Sequence, residues 1–202
     1  MDYLCRVVLV FYLSILAHAC GALPSDIEIL SKYPVGIAHA PKTYFKLAMD
    51  IPPITEFRLA RINVGLATDG AASNNTLDIW ELLRLLALSQ KSRQGIPQVL
   101  PVPEALYIAT RESARVFGMG EQIGILAPGY LADLILIDLT GVHHQPNHNI
   151  PANLVYSMHS RDVNTVIVDG KIIMRERQIL TVDKTEVISQ VQAIVKRFTQ
   201  IP

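Results

Sequence analysis

Cysteine is scarce in this sequence. Cys5 and Cys20 are the only two in 202 residues, and they form neither a disulfide framework nor a metal-binding pair, which favours a reducing, cytoplasmic setting. Net charge is missing too: 18 basic residues balance 18 acidic ones. That balance supplies no surface for nucleic acid or for an acidic substrate. No internal repeat, low-complexity segment, glycine-rich phosphate loop or Ser-His-Asp arrangement occurs. Long hydrophobic runs are reduced to one, residues 4–17, LCRVVLVFYLSILA. A membrane span needs about 20 apolar residues, and Arg6 and His18 bound this run too tightly for one. A secretory signal would use Ala17-His18-Ala19 as its small-x-small cleavage site, but its first residues carry Asp2 and no base. The third reading is a buried strand, or a helix plus a strand, that ends at His18. We adopt it as the expectation, with export through residues 1–19 as the alternative.

Hydrophobic residues make up 50% of the chain, enough for a sizeable core in one domain or a domain with an appendage. The stretch at the centre of the chain is 63–75, NVGLATDGAASNN. It opens as a strand, with Val64, Leu66 and Thr68 alternating with small residues. Asp69-Gly70 ends it, because glycine allows positive φ and aspartate bonds its own backbone. Ser73, Asn74 and Asn75 follow as a polar loop, and Asn75 or Thr76 is placed to cap a helix over 77–91. The sequence thus puts one acid at the C-terminal tip of a buried strand, where α/β proteins handle ligands and metals.

Two more units precede it. The run VGIA (35–38) reads as a strand ended by His39-Ala40-Pro41, and helices are predicted over 26–32 and about 53–61. Ser25, with Glu28 three residues on, has the spacing of a capping box. Strand-helix alternation predicts parallel βα units, which put their C-terminal tips on one edge. His18, His39 and Asp69 would then converge there. After the central loop, Leu77, Trp80, Leu83 and Leu86 mark an amphipathic helix, with Glu81 and Arg84 spaced to pair on its surface. A helix over 103–117 turns Leu106, Ile108, Ala114 and Phe117 inward and closes at Gly118. Beyond it lie a buried strand within ADLILIDL (132–139), an exposed loop carrying His143, His144 and His148, and an Asp169-Gly170 hairpin in VIVDGKIIM. A terminal amphipathic helix over 183–198 completes the chain.

These residues carry a family likeness. LATDGAASNNTLDIWELLRLLAL (66–88), Ala17-His18-Ala19, HAPKTYFKLAMD (39–50), IGILAPGYLADLILIDL and VIVDGKIIM resemble the C-terminal half of the amidohydrolase superfamily. The likeness is to the branch of methylthioadenosine/S-adenosylhomocysteine deaminases and triazine chlorohydrolases, and it runs from about Leu16 to the end. It implies an α/β fold, the C-terminal part of a (β/α)₈ TIM-type barrel plus part of a flanking β-sandwich. The implied division is 1–15 unassigned, 16–120 partial barrel, and 121–202 partial sandwich with the terminal helix. It implies that Asp69 ligates a single zinc and handles the proton of the attacking water, that His18 hydrogen-bonds that water or the leaving side, and that His39 and Ser73 contact substrate. The implied function is a fragment of a zinc-dependent aminohydrolase acting on a small-molecule purine-type substrate.

The family draws two zinc ligands from an H-x-H on its first strand. A third, with the catalytic glutamate, comes from an H-x-x-E on its fifth. Neither pattern occurs in these 202 residues, and a full barrel takes about 250. The segment 39–50 also departs from the family's HNPxSNxKLASG at Ala40, Thr43, Tyr44, Met49 and Asp50. The chain is therefore expected to be inactive by itself. It is expected to assemble as a homo-oligomer or to need the missing N-terminal half, with a non-catalytic or partner-dependent chain as the alternative.

Overall fold

The computed structural model describes residues 13–199. The three readings of the apolar run therefore concern residues that lie largely outside it, apart from its last five. The chain divides into two compact units, residues 1–130 with 140–160, and residues 131–139 with 161–202.

The first unit is built on three parallel strands in sequential order: β1 (Ser14–Ala17), β2 (Val35–His39) and β3 (Asn63–Leu66). Ile15 pairs with Gly36, and Ile37 with Val64. Parallel neighbours need crossover connections. Here α1 (Pro24–Leu30) makes the first, and α2 (Pro41–Lys46) with α3 (Ile54–Leu59) makes the second. Ile37, Val64, Ile54 and Phe57 are wholly buried and join Leu82 and Leu86 in one core. Behind β3 come the four-residue α4 (Ala71–Asn74) and the long α5 (Ile79–Gln94). They are followed by α6 (Val102–Tyr107), a π-helical turn (Ile108–Glu112), α7 (Ser113–Val116) and α8 (Ile150–Tyr156). The π turn has a local purpose. It swings Glu112 and Ser113 to the free edge of β3, where the Val64 N–H donates to Glu112 Oε1 at 2.8 Å and the Leu66 N–H to Ser113 Oγ at 2.9 Å. Side chains thus answer donors that an edge strand would otherwise leave open.

The second unit is an antiparallel sheet, β4 (Leu134–Ile137), β5 (Val163–Val168), β6 (Lys171–Arg175) and β7 (Gln178–Ile179), followed by α9 (Lys184–Thr199). Asp169 and Gly170 turn β5 into β6 with φ of 48° and 73°. Both are positive, as the right-handed twist of a two-residue hairpin requires.

Several local expectations are corrected. The box at α1 is closed by Asp26, whose Oδ2 accepts from the Leu23 N–H at 2.9 Å, because Pro24 starts the helix before Ser25. Helix α5 is capped by Asp78, which accepts from the Trp80 and Glu81 amides, so neither Asn75 nor Thr76 caps it. Glu81 pairs with Lys42 at 2.7 Å rather than with Arg84, which donates to Met158 O. Phe117 is 59% exposed, since the π turn shifts the helical phase ahead of it. β4 is not buried: Leu136 is 53% exposed. His144, expected in an exposed loop, is buried in a 3₁₀ turn (Val142–His144). Its carbonyl accepts from Asn153 Nδ2, a contact 9 residues on that local composition does not reveal.

Candidate active site

The C-terminal tips of β1, β2 and β3 carry His18, His39 and Asp69, as the alternation of strands and helices predicts. The backbone bends sharply at two of them. His18 has φ of 69°, Ala19 of 54° and Asp69 of 59°. Aspartate tolerates this region, but alanine gains nothing from it, so the packed sheet holds the turn. The His18 N–H still donates to Ala38 O at 3.0 Å, which extends the β1–β2 ladder by one residue beyond the strand.

Asp69 is the centre of the cluster. Its Oδ2 accepts from Thr43 Oγ at 2.9 Å, and its Oδ1 from the Gly70 N–H at 2.7 Å. His18 Nε2 lies 3.9 Å from Oδ2, with the two side chains 30% and 29% exposed, so the pair faces solvent. Ser73 foremost, then Gly70, Thr43 and the proximity of His18, hold the Asp69 carboxyl below the usual carboxylate range against a weak desolvation. The Ser73 proton itself is directed to Gly70 O at 3.0 Å, so its pull on Asp69 needs a rotation of the hydroxyl. Thr43 and Gly70 are the contacts in place, and both favour the ionised carboxylate.

His39 is different in kind. It is wholly buried, and burial, with the nearby His18, lowers its pKa to about 3, which leaves a neutral imidazole. Tyr44 packs against both histidines, its ring 5.7 Å from His18 and 5.2 Å from His39. The phenol oxygen accepts from the Ala40 N–H at 2.8 Å, and burial raises its pKa. Neither ring nitrogen of His39, nor His18 Nδ1, has a hydrogen-bond partner among the described residues. Buried polar atoms are seldom left so, and here three of them gather at one sheet edge. For a zinc ion the donor types are right, a carboxylate and imidazoles. The arrangement does not fit a complete zinc site, however. Among the described residues His18, His39 and Asp69 do not form a group with ligating atoms all within 4.8 Å of one another.

The family model that matches is the amidohydrolase family, over residues 5–173. The chain belongs to that family. The match begins ahead of Leu16, where the motifs become readable. The chain is 47% identical over 184 residues to the 5-methylthioadenosine/S-adenosylhomocysteine deaminase of Pelotomaculum thermopropionicum, covering 91% of this chain and 42% of that protein. It is 44% identical to the same-named protein of Desulforudis audaxviator, covering 91% and 43%. Among solved structures, a zinc-bound adenosine deaminase from Xanthomonas campestris superposes with a TM-score of 0.95 at 28% identity, covering 99% of this chain and 46% of that one. Atrazine chlorohydrolase from Arthrobacter aurescens, complexed with zinc, gives 0.81 at 29% identity, covering 90% and 40%. The chain spans less than half the length of these relatives. Its fold is accordingly a partial (β/α)₈ barrel of the amidohydrolase type, and its second unit is an antiparallel sheet.

Within that frame, His18 and Asp69 come together, His39 lies beneath Tyr44, and Ser73 lies on α4 beside Asp69. Reading by residue type gave no role to Thr43, Lys42 and Lys46. All three stand on α2, where Thr43 departs from the family pattern and Lys46 matches its lysine. The signal was their spacing: on one short helix they follow a strand tip directly, where side chains reach the next loop.

Proposed function

We propose that this chain is the C-terminal portion of a hydrolytic deaminase that acts on the C–N bond of a purine-type ring, of the methylthioadenosine or S-adenosylhomocysteine kind. The observation that carries the reading is the Asp69 carboxyl group at a barrel strand tip, held by Thr43 and Gly70 with His18 at 3.9 Å. In this reading Asp69 provides one zinc ligand and a proton acceptor, His18 stands beside it as a hydrogen-bonding group for water or the leaving amine, and Ser73 and His39 belong to the substrate side. A zinc ion in such enzymes lowers the pKa of bound water towards 7. The remaining ligands and the glutamate that shuttles the proton must come from residues outside this sequence, because no H-x-H or H-x-x-E occurs in it. The absent shuttle alone is worth roughly 10²–10⁴-fold in rate.

The purified chain is therefore expected to retain no stoichiometric zinc after dialysis. It should release no ammonia from methylthioadenosine, S-adenosylhomocysteine or adenosine. Co-expression with the part of the Pelotomaculum relative that the chain does not cover is expected to restore zinc and turnover that vanish in Asp69→Asn. One equivalent of zinc and Asp69-dependent turnover in the chain alone would overturn the division of ligands. Failure of the co-expressed pair to turn over any of the three would favour the second reading, a non-catalytic or partner-dependent chain. The departures at Tyr44 and Asp50 and the unconverged donors speak for that reading.

A further inference from the structure

The loop that carries Asp69 and Ser73 is in a backbone state that it does not sustain by itself. Asp69, Asn75 and Leu77 take φ of 59°, 72° and 51°, and a leucine has no local hydrogen bond to offer in return for that conformation. Inside the loop, Asn74 Nδ2 donates to Thr68 O at 2.5 Å and Ser73 Oγ to Gly70 O at 3.0 Å. The other tethers come from α2. Lys46 Nζ donates to Ala72 O at 2.7 Å and to Asn75 Oδ1 at 2.6 Å. Lys42 Nζ donates to Thr76 Oγ at 2.8 Å and to Glu81 Oε2 at 2.7 Å. Thr43, between them, holds Asp69 itself. One short helix thus sends three side chains across 26 to 39 residues of sequence to the loop after β3 and the start of α5. Lys46 grips both sides of Ser73: the carbonyl of the residue before it and the side chain of Asn75, whose positive φ ends α4.

We propose that Lys46, supported by Lys42, is a positioning residue for the site. It fixes the 69–77 loop so that Asp69 and Ser73 keep their places, and it touches neither substrate nor metal. The role in catalysis rests on the deaminase reading; the clamp on the loop does not. Hydrogen exchange on the chain tests the clamp, with Lys46→Met and the double variant with Lys42→Met, Lys46→Arg as the conservative change, and Lys32→Met as a control on a surface pair with Glu28. Lys46→Met is expected to speed exchange of amides 69–77 about tenfold and the double variant more, while β1–β3 amides keep wild-type protection. Lys46→Arg and Lys32→Met should resemble wild type. Unchanged exchange of the loop in both Met variants, or a rise spread evenly over the whole first unit, would overturn the clamp. In the co-expressed pair, Lys46→Met should lower kcat about tenfold or more with little change in KM, and Lys46→Arg should restore most of it. A normal kcat beside a loosened loop would overturn the catalytic role. If the wild-type pair fails to turn over, the deaminase reading and the catalytic role fall together, and exchange still decides the clamp.

Discussion

One carboxylate, Glu112, answers two groups at once. It is 4% exposed, accepts from the Val64 N–H, and pairs with Arg58 Nε at 3.0 Å, while the same guanidinium also pairs with Glu104. Removing a buried partner leaves both an uncompensated charge and an orphan amide. Glu112→Ala is expected to lose about 3 kcal/mol in urea denaturation, and Glu112→Gln, which keeps an acceptor, about 1 kcal/mol. Equal losses would show that the contact to Val64 contributes nothing. Glu56 is the acid with a predictable pH signature. Burial works to raise its pKa, but hydrogen bonds from Thr55 at 2.6 Å and Arg93 at 2.7 Å outweigh it and hold the carboxyl below its ordinary 4.5. A depressed folded-state pKa adds stability above the unfolded value and loses it as pH falls through the folded one. Wild type should therefore exceed Glu56→Gln by about 0.5 kcal/mol at neutral pH, a modest amount for an exposed pair. The difference should fade as pH drops below 4.5. A gap that widens in acid would contradict the sign.

Among the elements, the close passage of α7 over the sheet has the strictest geometry. A Cβ on Gly36 would meet both Val116 methyls at 3.0 Å and the Val116 Cα at 3.2 Å, and one on Gly65 would meet the Ser113 Cα at 3.1 Å. Both positions thus meet helix backbone, and a β-branched valine has little room to rotate away. Gly36→Ala and Gly65→Ala are each expected to cost about 2–3 kcal/mol, read from urea midpoints. A loss below about 0.5 kcal/mol at either position would mean that the helix shifts without cost. Asp78 serves α5 similarly, capping its first turn with Oδ1 while Oδ2 accepts from Ser160 Oγ at 2.8 Å. Asp78→Ala should cost about 1–2 kcal/mol.

At the scale of the molecule, apolar surface is the dominant fact. On α9, Val187, Val191, Ile194 and Phe198 are 46%, 52%, 49% and 71% exposed, and on β1 Ile15 is 44% exposed. The outer edge of β1 has no strand beside it among the described residues. Glu112 and Ser113 blunt the opposite edge, so hazard is concentrated at one side of the sheet rather than both. The isolated chain is expected to self-associate in analytical ultracentrifugation at micromolar concentration. Co-expression with the N-terminal half should return it to a defined species. A monodisperse monomer with cooperative melting would refute this. Among the described residues no helix is long and apolar enough to cross a membrane.

What the sequence determined by itself was local and periodic. It placed the apolar runs that become β2 and β3, the Asp169-Gly170 hairpin, the amphipathic terminal helix, and a histidine or an acid after each parallel strand. These follow from side-chain period and backbone preference, which act over a few residues. Tertiary structure decided what depends on partners distant in the chain. It chose Asp78 over Asn75 as the cap, because Ser160 and the start of α5 both converge on Asp78. It sent Glu81 to Lys42 rather than to Arg84, buried His144, and inserted the π turn that brings Glu112 to β3. It also separated three residues that looked alike in sequence. Asp69 and His18 meet at a solvent-facing edge, whereas His39 sinks beneath Tyr44 and stays neutral. The physical reason is that burial and pairing are properties of the packed sheet, and no window of sequence contains both sides of such a contact.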